Sequence, residues 1–238
     1  MNFIDLIYPK RCPVCLDALP LGESLICPDC EKKVRRVQAP TCFSCGKPLS
    51  DGSFEFCRNC EKNRPSFKKG LSWAEYTSKY IRRLMAEVKY HGNCQLLDYP
   101  CKDFAERNRR EILSWGAEAL IPVPVHDRRK RIRGYNQAEE IANRLGEALG
   151  IPTDPDVLFR VENTRAQKEL TREARQENLM KAFYCPPLKK PYDTVILVDD
   201  IYTTGSTAES CTRALLSAGI RTVWFLSLAI GHDDRIQL

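Results

Sequence analysis

Four Cys-x-x-Cys pairs within the first 60 residues restrict the possible folds of this chain more than any other feature. Eleven residues separate each pair from the next, so the arrangement repeats with a period of 30 residues. The eight thiols are Cys12, Cys15, Cys27, Cys30, Cys42, Cys45, Cys57 and Cys60. A Cys-x-x-Cys turn places two sulfurs on one side of a tight knuckle, and two knuckles complete the tetrahedron that Zn²⁺ prefers. The spacing therefore predicts two structural zinc centres with four cysteine ligands each.

The spacers between the pairs indicate which knuckles share a metal. Gly22 lies in the first spacer, and Asp51-Gly52, a strong hairpin-turn dipeptide, lies in the last. The middle spacer, EKKVRRVQAPT, has no such turn and is typical of a short basic helix or a linker. We therefore expect sequential pairing, in which the first two pairs form one centre and the last two form the other. A cross-braced arrangement is an open alternative, as are redox-active Cys-x-x-Cys pairs.

Composition sets the domain organisation. Few large apolar side chains occur before residue 67, so residues 1–66 are predicted to fold as a double zinc ribbon only with metal bound. The whole chain has 238 residues, of which 43% are hydrophobic and 29% are charged, and this leaves a full α/β core for residues 67–238. No apolar run reaches the roughly 18 residues that span a bilayer, and the N-terminus lacks the zones of a signal peptide. We expect a cytoplasmic protein without membrane insertion.

The net charge of the chain gives little support for nucleic-acid binding by itself. The formal charge is +6 with neutral thiols. Each zinc centre with four cysteine ligands carries about −2, because its ligands are deprotonated, and this lowers the total to about +2. Only local clusters of cations can therefore argue for a polyanionic partner.

Helical and strand patterns alternate beyond residue 67. Apolar residues at helical spacing predict helices over Tyr76–Tyr90, from Pro100 towards Trp115, from Ala138 to Leu149 and over Ser206–Ser217. Short apolar runs predict strands over Ala119–Val125, Val157–Val161, Thr194–Val198 and Thr222–Ile230. Strands that alternate with helices are typical of a parallel sheet covered by helices on both faces.

The segment VILVDDIYTTGST, residues 195–207, carries the strongest chemical signal. A buried strand ends in Asp199 and Asp200, whose carboxylates can accept hydrogen bonds from vicinal hydroxyls. A loop then leads into a helix, whose free amide groups favour an anion. Hydroxyls and a glycine that suit phosphate are supplied by Thr203, Thr204, Gly205, Ser206 and Thr207. A diol at one end and a phosphate at the other describe a ribose 5-phosphate.

An ordinary capped helix after an acidic strand end is the alternative interpretation of this segment. The hydrophobic run, the paired acids and TTGST together are more specific than a cap requires. They resemble the phosphoribosyl pyrophosphate fingerprint of type I phosphoribosyltransferases. This resemblance implies an α/β fold with a type I phosphoribosyltransferase-like parallel sheet, preceded here by two small four-cysteine zinc ribbons. Neither GxxxxGK[ST] nor GxGxxG is present, which disfavours P-loop and dinucleotide-binding sites.

Three further stretches resemble the ComF competence family. IPVPVHDRRKRIRGYNQAEEIA is similar to its strand, pyrophosphate loop and helix, NTRAQKELTREARQENL to its mobile active-site loop, and LMAEVKYHG to its lysine-bearing stretch. The candidate residues for a pyrophosphate or DNA loop are Lys89, Arg128, Arg129, Arg131, Arg133, Arg165 and Lys168. Five cations within residues 128–133 suit a polyanion better than a core. In the second stretch, salt bridges on a helix surface are an equal alternative.

The sequence supports two classes of function. The family resemblance implies a competence protein that binds phosphoribosyl pyrophosphate, with Mg²⁺ arriving on that ligand, and handles incoming single-stranded DNA during natural transformation. Other DNA-uptake proteins are then expected partners, and Tyr135 is a candidate stacking residue. The alternative is an active phosphoribosyltransferase that attaches the sugar to a nitrogen base and releases pyrophosphate. No motif for a particular base accompanies it.

Overall fold

The computed structural model describes residues 9–20, 22, 24–160, 182–188 and 190–232. The described strands are Gly70–Glu75 (β1), Ala119–Pro122 (β2), Phe159–Arg160 (β3), Phe183–Tyr184 (β4), Thr194–Tyr202 (β5) and Thr222–Ile230 (β6). The described α-helices are Pro28–Glu31 (α1), Arg58–Lys62 (α2), Lys79–His91 (α3), Asp98–Ser114 (α4), Asp127–Arg133 (α5), Gln137–Leu149 (α6) and Ser206–Ser217 (α7). A 3-10 helix, Cys94–Leu97, lies between α3 and α4.

A parallel sheet forms the centre of the described chain, with its strands in the order β1-β6-β5-β2. Alternate residues of β5 point to opposite faces. Ile196 and Val198 pack in the cluster that contains α3, α4 and α6, whereas Val195 and Leu197 pack with α7 and the second cysteine quartet. The predicted α/β sheet with helices on both faces is confirmed.

The amphipathic helices form where their apolar spacing predicts them. In α6, Ile141 and Leu145 are fully buried, the Asn136 side chain caps the first turn, and Gly150 ends the helix at φ 77°. The helix predicted from Tyr76 begins three residues later, at Lys79, because Tyr76 follows β1 directly. Among the described helices, none has both the length and the apolar character that crossing a bilayer demands.

The spacer between the two ribbons pairs with one edge of the sheet. Strand β1 lies at one end of the strand order, and residues 35–37 run beside it through backbone hydrogen bonds and an Arg36–Ala74 bridge. Arg36 also forms a double hydrogen bond with Asp103 of α4, which accepts a third from Trp73 at 2.7 Å. Burial opposes ionisation of Asp103, but these donors outweigh it and lower the pKa of the carboxyl. An edge that could pair with another chain is thus covered.

Several local expectations were wrong. The segment GLSWAE, residues 70–75, was not predicted as a strand, although it forms β1. The run predicted as a strand over Ala119–Val125 ends at Pro122, and the basic stretch after it, interpreted as a loop, forms helix α5. The predicted strand Val157–Val161 contributes only Phe159–Arg160, which pairs with β4 in a separate antiparallel ribbon. Residue 161 lies outside the described residues.

Candidate functional site

The eight paired cysteines form two separate quartets, and in each the four sulfur atoms lie within 4.8 Å of one another. The Sγ atoms of Cys15 and Cys27 are 3.9 Å apart, and those of Cys45 and Cys57 are 3.6 Å apart. Four thiolates around a tetrahedral zinc ion lie about 3.8 Å apart, so both quartets fit the metal. None of the cysteines forms a disulfide. Sequential pairing is confirmed, and the cross-braced alternative is wrong.

The 30-residue repeat extends to the backbone of the knuckles. Leu16 and Gly46 occupy equivalent positions, and both have left-handed backbone angles, with φ of 68° and 75°. Their amides donate to the carbonyls of Cys12 and Cys42 at 2.9 Å. Only the second knuckle requires glycine for space, because a Cβ on Gly46 would lie 2.5 Å from the carbonyl oxygen of Gly70.

The second ribbon is packed directly onto the sheet. The amide of Gly70, at the start of β1, donates to the carbonyl of Ser44 at 2.7 Å. The four sulfur ligands of this ribbon are buried in the same apolar cluster as Phe67, Tyr202 and Phe225. By contrast, Cys15 and Cys27 of the first ribbon are partly exposed. The second metal centre is therefore part of the core that supports the sheet.

The two predicted acidic residues lie within the last part of β5, not in the loop after it. Asp199 pairs in register with Ser227 of β6, and the strand continues to Tyr202. Both carboxylates are partly buried, and each accepts a hydrogen bond from the amide of the next residue: Asp200 N lies 2.8 Å from Asp199 Oδ1, and Ile201 N lies 2.7 Å from Asp200 Oδ1. These bonds fix both side chains at the carboxyl end of the central strand, where ligands of open α/β sheets bind.

Asp199 is held in an environment that disfavours its charge. Burial raises the pKa of its carboxyl well above the ordinary value, and the negative charge of Asp200 raises it further. Lys89, at the end of α3, is near enough to offset part of this rise. A lysine from a distant part of the sequence therefore acts on this carboxyl through its charge. A ligand that donates hydrogen bonds or carries positive charge would relieve the repulsion between the two acids.

The loop that follows β5 leaves the start of α7 available to an anion. Thr203 and Thr204 are exposed, Gly205 has a φ of 84°, and α7 begins at Ser206. No described side chain caps the first turn of α7. The hydroxyls of Thr204 and Ser206 lie 3.1 Å apart, and Thr207 occupies the next position of the turn. The five predicted phosphate-binding residues thus surround one helix N-terminus.

Tyr202 connects this loop to the second ribbon. Its ring packs against Phe67 and Phe225, and the ammonium of the buried Lys47 lies 6.0 Å from its centroid. Burial and the nearby cysteine sulfurs raise the pKa of Tyr202, so the phenol stays protonated. A Cβ on Gly205 would lie 2.8 Å from the Tyr202 ring carbon that bears the hydroxyl. Glycine is therefore required both for the left-handed turn and for the space beside this ring.

The predicted cationic residues are only partly brought together. Lys89 and Arg133 lie near the same aromatic ring, that of Tyr90, and Arg131 is exposed on α5. Arg128 and Arg129 belong to α5, but their side chains fall outside the described part of the structure. Arg165 and Lys168 lie outside the described residues altogether.

The aromatic residue predicted to stack on a base is not the exposed one. Tyr135 is half-buried, and its hydroxyl donates to the carbonyl of Val88 in α3. Tyr90, one residue after Lys89, is instead 69% exposed. The sequence analysis treated Tyr90 as the end of the α3 helix and did not consider it as a binding residue. Its position outside the apolar stripe and just before Gly92 could have indicated that its side chain is exposed.

Known proteins are similar to this chain over nearly its whole length. Residues 3–61 match the double zinc ribbon domain family. Competence protein F of Haemophilus influenzae is 30% identical over 238 aligned residues, which cover 96% of this chain and 99% of that protein. The chain belongs to the competence protein F family.

Other members of the competence protein F family carry two kinds of name. The DNA utilization protein YhgH of Salmonella typhimurium is 28% identical over 92% of this chain and 96% of its own length. Competence protein ComFC of Bacillus subtilis is 25% identical over 82% of this chain and 79% of its own length. The resemblance noted from the three sequence stretches is thus confirmed.

We predict that the purified chain carries two zinc ions, and that Cys57→Ser reduces the number to one. Cys57→Ser should also lower the melting temperature more than Cys27→Ser, because the second quartet is buried against β5 and β6 whereas the first is partly exposed. Elemental analysis and thermal denaturation under reducing, chelator-free conditions measure both effects. Cys185→Ser, outside the quartets, is the control and should keep two ions. One ion or none in the unmodified chain would contradict the two-centre structure.

We also predict that Asp199→Asn raises the melting temperature at pH 7.5 by about 2–4 °C, the shift that corresponds to roughly 1 kcal/mol at this chain length. Folding raises the pKa of Asp199. The folded state therefore loses stability relative to the unfolded state as the pH rises above about 4, which is the pKa of an aspartate in the unfolded chain. The amide oxygen can still accept the Asp200 amide. The difference in melting temperature between the variant and the unmodified chain should become smaller as the pH falls from 8 to 5.5. Asp156→Asn, the control at an exposed carboxylate, should hardly change the melting temperature. If the rise in melting temperature caused by Asp199→Asn did not depend on pH, the electrostatic explanation would be wrong.

Proposed function

We propose that this protein binds phosphoribosyl pyrophosphate at the β5–α7 junction and handles single-stranded DNA during natural transformation. One observation carries the proposal: a pair of fixed carboxylates and an uncapped helix N-terminus meet at the end of the same buried strand. The family relatives named for competence and for DNA utilization support the biological part.

The ribose 5-phosphate part of the ligand fits the chemistry of this junction. The phosphate would accept hydrogen bonds from the first amides of α7 and from the hydroxyls of Thr203, Thr204 and Ser206. The ribose diol would donate to Asp199 and Asp200, and charged acceptors strengthen such bonds. Binding of the diol would also satisfy the partly buried carboxylate that otherwise disfavours its own charge.

The pyrophosphate part requires positive charge, and Lys89 is a candidate because its charge lowers the pKa of the Asp199 carboxyl. Mg²⁺ would arrive coordinated by pyrophosphate oxygens and keep several water ligands, as this hard cation usually does. Arg128, Arg129, Arg165 and Lys168 are further candidates for the same charge. Their part in it is an extension of the family resemblance.

The DNA part rests on cations beside an aromatic ring. Arg133 of α5 lies near Lys89 and Tyr90, and Arg131 is exposed on the same helix. Such groups neutralise backbone phosphates without reading sequence. DNA-uptake proteins are the expected partners in this role. The alternative function, base transfer, would be recognised by release of pyrophosphate in the presence of a nitrogen base.

We predict that the double variant Asp199→Asn with Asp200→Asn binds phosphoribosyl pyrophosphate and Mg²⁺ at least tenfold more weakly than the unmodified chain. Neutral amide acceptors replace charged ones, and hydrogen bonds to charged groups are worth about 1.5–3 kcal/mol against about 0.5–1.5 for neutral pairs. Isothermal titration calorimetry measures the affinity, and zinc content checks the fold.

Asp193→Asn is the matched control for this measurement. Asp193 precedes the same strand at its opposite end, where it pairs with Arg221 at 3.1 Å. The control should bind the ligand as the unmodified chain does. Equal affinity of the double variant and the unmodified chain would mean that the acidic pair is purely structural and would refute ribose binding at this junction.

We predict that replacing both Arg131 and Arg133 by Ala flattens the salt dependence of single-stranded DNA binding by about 0.7 in log–log slope for each phosphate that is no longer neutralised. Fluorescence anisotropy across salt concentration measures the slope. Arg221→Ala is the control, because this exposed arginine precedes β6 at the opposite end of the sheet. A slope identical to that of the unmodified chain would place the phosphate contacts elsewhere, and absence of binding near 50 mM salt would refute the DNA part of the proposal.

A further inference from the structure

A cavity of about 480 Å³ lies between the end of α3 and the end of α5. Residues 89–92 form one wall, and Ile132, Arg133 and Tyr135 form the other. This volume falls in the range of ordinary small-molecule sites, about 300–1,000 Å³. The acidic pair and the α7 phosphate loop are not among its lining residues.

Two large apolar side chains of this cavity are exposed to solvent. Tyr90 is 69% exposed and Ile132 is 75% exposed, the highest values among the large hydrophobic residues described as exposed. One exposed apolar side chain is ordinary on a protein surface, whereas two that line the same cavity form a surface suited to a flat apolar ligand.

The two charged groups beside the exposed Tyr90 ring are both positive. The Lys89 ammonium lies 5.6 Å and the Arg133 guanidinium 5.8 Å from the centroid of the Tyr90 ring. Among the residues that line the cavity, none carries a carboxylate. A ligand that combines an aromatic face with negative charge close to it matches both properties, and a nucleotide has this combination.

The walls of the cavity are held in place by polar contacts. The Tyr135 hydroxyl donates to the Val88 carbonyl and so ties the segment after α5 to α3. Arg133 donates to the Gln137 side chain at 3.2 Å. Gly92 ends α3 in the left-handed conformation, at φ 72°. The cavity is therefore largely formed before any ligand enters, which reduces the entropy lost on binding.

We infer that this cavity binds an unpaired base of single-stranded DNA, with the base stacked on Tyr90 against Ile132 and with adjoining phosphates near Lys89 and Arg133. The inference rests on the DNA-binding part of the proposed function and gives it a specific stacking residue. It differs from the expectation for Tyr135, whose ring is half-buried and whose hydroxyl is already bonded.

The test is fluorescence anisotropy with a labelled oligothymidylate of about 20 nucleotides near 50 mM salt. Tyr90→Ala should weaken binding about tenfold, the effect expected when one base is deprived of its aromatic partner. Its salt slope should match that of the unmodified chain, since every phosphate contact is kept. Tyr90→Phe should bind normally because it keeps the ring.

Two controls separate stacking from other causes. Tyr184→Ala removes a 50% exposed tyrosine on β4, which lines a different cavity, and should leave affinity unchanged. An abasic strand of the same length keeps the phosphates but has no bases, so the unmodified chain and Tyr90→Ala should bind it equally.

Each contrary result has a distinct meaning. Equal affinity of Tyr90→Ala and the unmodified chain for oligothymidylate overturns the stacking site and leaves the proposed DNA binding intact. A loss of affinity that is just as large on the abasic strand also overturns stacking, because it identifies a phosphate or structural effect. Failure of the unmodified chain to bind either strand overturns both this inference and the DNA part of the proposed function, while ligand binding at the acidic pair is tested separately by calorimetry.

Discussion

Packing of the second cysteine quartet against the carboxyl half of β5 is the contact on which the rest of the site depends. Four buried sulfurs, Phe67 and Phe225 surround the Tyr202 ring, and that ring fills the space beside Gly205. A thiolate quartet without its metal would leave buried charges or unpaired thiols in this core. A zinc ion held by this quartet would therefore stabilise the end of β5 and the loop before α7 as well as the ribbon itself.

The two ribbons have different relations to the sheet although they share one repeat. The second ribbon meets the face that contains α7, where Gly46 approaches Gly70 closely. The first lies in the apolar cluster of the opposite face, with α3 and α4, and the spacer between them covers the edge of β1. A duplicated unit thus contacts both faces of one parallel sheet, because the spacer crosses the edge strand.

Electrostatics divides the carboxyl end of the sheet into two neighbouring regions. At β5, two acids lie side by side, and the pKa of Asp199 rises because burial and Asp200 both oppose its charge. At the ends of α3 and α5, cations surround an exposed tyrosine. Lys89 lies beside the Tyr90 ring, and its charge also lowers the pKa of Asp199. This distribution of charge suits the proposed ligand, which combines a polar sugar with several phosphates.

The sequence by itself determined the features that depend on spacing and on local chemistry. The spacing of the cysteines was enough to predict both quartets. The VILVDDIYTTGST segment was enough to predict a strand, an acidic pair and a helix N-terminus, because its residues are neighbours in the chain. Tertiary structure alone decided what distant segments contribute. It placed Tyr202 between the second cysteine quartet and Gly205, and it made GLSWAE an edge strand. It also left the Tyr90 ring exposed while the Tyr135 hydroxyl is hydrogen-bonded to Val88, and it allowed the charge of Lys89 to lower the pKa of Asp199. The physical reason is that exposure and electrostatic contact depend on which surfaces pack together, whereas periodicity reports only which face of one element is apolar.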